Sequence, residues 1–129
     1  MKKAEFLAAA KFFAAQSSKR IGIPFQEISI VLQDNAGSAE AHVAIMNVEG
    51  PTDVITQPFD PLPGEPEGIY GEIYINVDRA REYPNAPKEL LLYLAHGMDH
   101  LSGADDHSEK DYQKMRKREL QWIRKLPQF

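Results

Sequence analysis

The stretch Glu89-Leu90-Leu91-Leu92-Tyr93-Leu94-Ala95-His96-Gly97-Met98-Asp99-His100-Leu101-Ser102-Gly103-Ala104-Asp105-Asp106-His107 organises the reading of the chain. Its first half is rich in helix formers and predicts a helix to about His100, and Gly103, free to adopt a left-handed turn, stops it. On such a helix residues 96 and 100 differ by roughly 400° of rotation and about 6 Å of rise, so both imidazoles leave one face a turn apart. Two such rings can grip one ion. A third ligand on the same helix would be carried away along its axis, so the chain has to turn first, and beyond Gly103 His107 can come back toward the pair. The spacing predicts His96, His100 and His107 as ligands of one metal per chain, with the carboxylate of Asp106 as the alternative third ligand. Three protein ligands and an open fourth position describe a catalytic zinc site, and a water bound there, with its pKa lowered toward about 7, carries the chemistry. Imidazoles also accept nickel and other divalent metals, so zinc is the expectation and the ion's identity stays open. His42, the remaining histidine, reads as an ordinary helix residue.

Working outward, the segment after the glycine turn predicts a last helix over about 108–125, with Tyr112, Met115, Leu120, Trp122 and Ile123 among its apolar positions. Upstream, Phe6, Ala9, Ala10 and Phe13 recur at helical spacing and predict an amphipathic first helix over about 3–18 rather than a secretion signal, since Glu5 and Lys11 interrupt the apolar run. Ile28–Leu32 reads as a β-branched strand, 38–47 as a short helix, Thr52–Gln57 as a strand closed by Pro58, and Tyr70–Val77 as a third strand. The four prolines and two glycines of 58–68 predict a surface loop. Helical character resumes near Asp78, punctuated by Pro84 and Pro87. Interleaved strands and helices predict an α+β fold, a small mixed β-sheet of three to four strands packed with helices, with the metal site on a central helix and its following turn.

At 129 residues the chain predicts one domain over 1–129, long enough to bury a core without staples. It contains no cysteine, which excludes disulfides, thiol catalysis and thiolate metal sites. No run approaches the ~18 apolar residues of a membrane span, and the expected location is the cytoplasm. The net charge of −4 hides a segregation: +4 over 1–20, −12 over 21–107 and +4 over 108–129. The cations of the last helix, Lys110, Lys114, Arg116, Lys117 and Arg118, are candidate phosphate contacts, as are Lys2, Lys3, Lys11, Lys19 and Arg20. Asp99, between the two histidines, is expected to be a solvated carboxylate or one that orients an imidazole, with general base as the alternative, and Asp53 and Glu72 to be structural rather than catalytic.

At His96, Gly97, His100, Leu101 and Gly103 the sequence resembles the YbeY family of endoribonucleases, whose signature is H-G-x-x-H-L-x-G followed by tyrosine, aspartate and histidine. Pro51-Thr52-Asp53-Val54 with Pro58-Phe59 is similar to the family's P-T-D-V-L-S-F-P strand, and Gly71-Glu72-Ile73-Tyr74-Ile75 to its G-D-I-x-I strand. The blocks come in family order, and the resemblance covers roughly 25–125. Four departures stand out. Six residues rather than five separate His100 from His107, which puts Asp106 at the family's ligand position. Ala104 stands where a tyrosine is expected, Asp99 replaces a leucine, and Met46–Gly50 lacks the arginine that precedes the family's P-T-D-V strand.

The resemblance implies a zinc-dependent, single-strand-specific endoribonuclease that matures ribosomal RNA at the 16S 3′ end, with ribosomal RNA or the small ribosomal subunit as partner and neither membrane nor DNA. A proteolytic reaction lacks its base, because zinc proteases of the H-E-x-x-H type carry glutamate where this chain has Gly97. Two rivals remain at this level: a non-catalytic, metal-stabilised ribosome- or RNA-associated protein, and a metal-dependent hydrolase of another substrate.

Overall fold

The computed structural model describes residues 1–127 and has the element order α1 (Lys3–Ile21), β1 (Phe25–Gln33), α2 (Asn35–Met46), β2 (Val54–Phe59), β3 (Ile69–Asn76), α3 (Val77–Arg81), α4 (Ala86–Leu101) and α5 (Glu109–Arg124). The fold is α+β, as expected from the sequence. Its one sheet has the order β1-β3-β2, with β1 parallel and β2 antiparallel to β3. The central strand β3 has neighbours on both edges, and its β-branched Ile73 and Ile75 are fully buried.

Helix α4 is the hub, packing on β2, β3, α1, α3 and α5. Its Leu94, Ala95 and Met98 join Ile73, Ile75, Phe13 and Trp122 in the core, where the Phe13 and Trp122 rings stack at 6.2 Å. The stripe anticipated on α1 is the one buried: Ala9, Ala10 and Phe13 face inward.

Several element ends differ from the sequence expectation, each for a local reason. α1 runs on to Ile21 because Gly22, at φ 72°, caps it with its amide on Ser18 O. α2 begins at Asn35 because Asp34 accepts from the Gly37 amide at 2.8 Å, which makes Asp34 the cap. Pro58, expected to close β2, lies within it opposite Gly71. β2 is an edge strand, where a residue without an N–H is tolerated. Pro87 likewise sits in the first turn of α4, where an amide would have no intrahelical partner, and Asn85 caps that turn.

Candidate metal centre

Two glycines let α4 lie close against the sheet. A Cβ on Gly97 would come within 2.8 Å of Ile73 Cγ2, and one on Gly71 within 2.8 Å of both Gln57 O and Leu101 Cδ2. Gly97 between the histidines is therefore a packing requirement: it lets the helix settle on β3 and turns residues 96 and 100 toward the β2 side. At the helix end Gly103 has φ 95°, the turn conformation anticipated for it, and the chain doubles back.

The two imidazoles meet almost at right angles, with ring centroids 4.4 Å apart and Nε2 atoms 3.0 Å apart. Their other nitrogens decide which atoms carry protons. His100 Nδ1 lies 3.2 Å from Ala104 O, an atom that can only accept, so Nδ1–H donates there. His96 Nδ1 lies 2.9 Å from Glu119 Oε2 and donates to that carboxylate. In the neutral rings both Nε2 lone pairs then face each other. Asp106 Oδ2 completes the group, 3.5 Å from His96 Nε2 and 3.4 Å from His100 Nε2. In that neutral state three acceptors converge without a donor among them, an arrangement that a proton or a metal ion resolves, and the set matches the His/carboxylate donors of a divalent metal. The residues present thus fit the group that the sequence anticipates.

The third residue at the pair is Asp106, the alternative in the sequence reading. His107, the first choice there, lines the same cleft but turns outward with a 91 % exposed side chain, its Nδ1 2.7 Å from Asp105 Oδ1. The His107 amide also donates to Asp105 at 2.7 Å, which holds the Asp105 carboxyl below its ordinary range. The Asp105 carboxylate holds both the amide and the ring of His107, which keeps His107 outward while its neighbour Asp106 faces the pair.

The carboxylate that orients an imidazole is Glu119, not Asp99 as the sequence suggested. Asp99 is fully buried and is held by arginines rather than by either ring; the Arg118 guanidinium binds both its oxygens at 2.9–3.2 Å, and Arg20 approaches at 3.5 Å. Burial pushes its carboxyl up to about 6, against the opposing pull of Arg118. Glu119 is equally buried. Burial lowers the His96 pKa, but the hydrogen bond and charge of Glu119, joined by the charge of Asp106, outweigh it and leave His96 above its ordinary value. A signal for Glu119 exists in the sequence: it interrupts the buried stripe Met115-Glu119-Trp122 at i, i+4, i+7 spacing, and a carboxylate in such a stripe needs a partner.

An open cleft of about 560 Å³ lies over the histidine pair, bounded by Val54–Thr56 of β2, Asp53 and the end of α2 at Ile45 and Met46. Asp53 also spends one oxygen on the Val54 amide at 2.7 Å, which starts β2. Glu72 lies in a separate groove with Glu27 and Phe59. His42 ties α2 to the turn after it, its Nδ1 2.8 Å from Gly50 O. Of the α5 cations, Lys110, Lys114 and Lys117 are exposed, Arg116 is half-buried beside Tyr112, and Arg118 is consumed by Asp99, so it is not free for a ligand.

Comparison with known proteins points to one family. The family described as Endoribonuclease YbeY matches residues 2–127. The protein called Endoribonuclease YbeY in Protochlamydia amoebophila is 34% identical over 105 residues, covering 78% of this chain and 70% of its own length. Its namesake in Mycobacterium tuberculosis strain H37Rv is 34% identical over 125 residues, covering 87% and 68%. The solution structure of TM1509 from Thermotoga maritima is similar in fold, with a TM-score of 0.59 over 95% of this chain and 82% of that one, at 24% identity. By sequence match along nearly its whole described length, the chain belongs to the YbeY endoribonuclease family.

Proposed function

We propose that this protein is a metal-dependent endoribonuclease that cuts single-stranded RNA and acts in the cytoplasm on ribosomal RNA, at the 16S 3′ end, in company with the small ribosomal subunit. The observation that carries the reading is the convergence of His96 Nε2, His100 Nε2 and Asp106 Oδ2 at an open cleft in a chain of this family. Those three residues would hold the ion, zinc being the first candidate, with His107 the alternative to Asp106 as third ligand. A bound divalent metal supplies Lewis acidity toward a phosphoryl oxygen and activates water at neutral pH.

The protein's own residues do the rest. Glu119 and the Ala104 carbonyl each accept a hydrogen bond from a histidine Nδ1–H, which keeps that proton on Nδ1 and both Nε2 atoms free to ligate. The open cleft beside β2 has room for an extended strand. Phosphate contacts fall to cations outside the lining, with Lys110, Lys114, Arg116 and Lys117 of α5 as candidates.

The test is cleavage of single-stranded and structured RNA by metal-loaded wild-type protein and by His96→Ala. The reading expects cutting of the single-stranded substrate by wild type only. Equal cleavage by both would assign the activity to a contaminant and remove the nuclease reading.

A further inference from the structure

We propose that Arg116, braced by Tyr112 on α5, holds a phosphate of the RNA backbone beside the metal cleft; this rests on the nuclease reading above. The cleft lining contains Asp53 and Asp106 but no lysine or arginine among the described residues. A polyanion entering it therefore needs a cation from a neighbouring element.

Helical geometry selects which one. Taking Glu119, whose carboxylate touches His96, as the reference direction on α5, Arg116 lies about 60° away and one turn earlier, whereas Lys110, Lys114 and Lys117 lie roughly 140–180° away on the solvent face. Arg118 lies about 100° to the other side, where Asp99 occupies it. Arg116 is thus the cation of this helix directed nearest the histidine pair.

The state of the side chain points to an anionic ligand. Arg116 is half-buried, donates from Nη2 to Tyr112 Oη at 3.1 Å, and carries its guanidinium 5.6 Å from the Tyr112 ring centroid. Among the described residues Arg20 and Arg118 pair with Asp99, Arg79 with Glu82 and Arg81 with Asp78. Arg116 and Arg124 have no described carboxylate within ion-pair distance, and of these two only Arg116 is half-buried and braced; Arg124 is exposed at the far end of α5. A guanidinium has five N–H donors in a rigid fork, so one held by a phenol and an aromatic face keeps donors aligned for a phosphate oxygen. Preorganisation by Tyr112 lowers the ordering cost of that contact.

The experiment uses the metal-loaded full chain and a fluorescent 2′-O-methyl single-stranded oligonucleotide, with cleavage of the matching RNA measured in parallel. Arg116→Gln is expected to weaken binding about tenfold and make the log–log salt slope shallower by about 0.7, with metal stoichiometry kept. Arg116→Lys should recover part of the binding, and Lys88→Ala, at the exposed start of α4, should behave as wild type. Tyr112→Phe removes only the brace and should weaken binding about threefold, which keeps the question open to test if Arg116→Gln does not fold. Wild-type affinity and salt slope in Arg116→Gln, or unchanged binding in Tyr112→Phe where the glutamine variant cannot be made, overturn the proposal while leaving the nuclease reading intact. A wild-type protein that neither binds nor cuts RNA removes the nuclease reading itself.

Discussion

Helix α4 and the turn that follows it, 102–108, both bring ligating side chains to one point, but they hold them differently. On α4, packing against β3 fixes the backbone, hydrogen bonds to Glu119 and Ala104 fix both rings, and the helical period sets the spacing. In the turn, Asp106 Oδ2 stands 3.4–3.5 Å from the two Nε2 atoms, and its neighbour His107 is 91 % exposed. One residue of register decides which side chain faces the two Nε2 atoms. A helix dictates its ligands by period, whereas a turn dictates them by length, so the same site has a rigid half and an adjustable half.

Substitutions can separate the halves. His100→Ala should have the largest effect, lowering metal affinity by more than the roughly 100-fold that an outer partner is worth, with the fold retained; metal titration by calorimetry checks it. Asp106→Ala should cost at least about tenfold and His107→Ala almost nothing, and the reverse order would move the third ligand to the histidine. Glu119→Gln should lower the limiting affinity about 10–100-fold.

The pH dependence follows from the raised His96 pKa. In the metal-free protein the stabilisation from His96 protonation is fully present below its unfolded value, near 6.5, and is lost as pH rises through the higher folded value. Metal uptake runs the other way, strengthening as pH rises through that folded value because the ion displaces the proton. Removing the Glu119 charge lowers the His96 pKa, so in Glu119→Gln the rise should begin at lower pH, as affinity measured from pH 5 to 9 would show.

The smallest effects are on stability. Gly97→Ala forces a methyl into Ile73 and should destabilise by about 1–3 kcal/mol, whereas Gly103→Ala, with open space around it but φ 95°, should cost about 1–2 kcal/mol. Thermal melts of the two variants test whether the rigid half is also the more tightly packed.

What could be read from sequence follows the same division. The apolar periodicity of α1 and α5, the β-branched runs of β1 and β3 and the His96/His100 pair repeat with the period of their own element, so neighbouring residues suffice to place them. Pro58 in β2 was not legible as a strand residue, because its tolerance comes from the edge position, a property of the sheet. The imidazole-orienting role expected of Asp99 falls to Glu119 for a similar reason. Asp99 is next to His100 in sequence but points at Arg118 and Arg20, while Glu119 reaches His96 from a helix 23 residues away. Asp106 and His107 both stood as candidates, and their ordering turned on a turn conformation that residue types alone leave underdetermined.

The most direct measurement is the anomalous diffraction of crystals grown with the metal, recorded at its absorption edge. One ion per chain is expected, bound by His96 Nε2, His100 Nε2 and an Asp106 oxygen at roughly 2.0–2.2 Å. An ion ligated elsewhere, or histidine rings that turn their Nε2 atoms away from a shared ion, would contradict it.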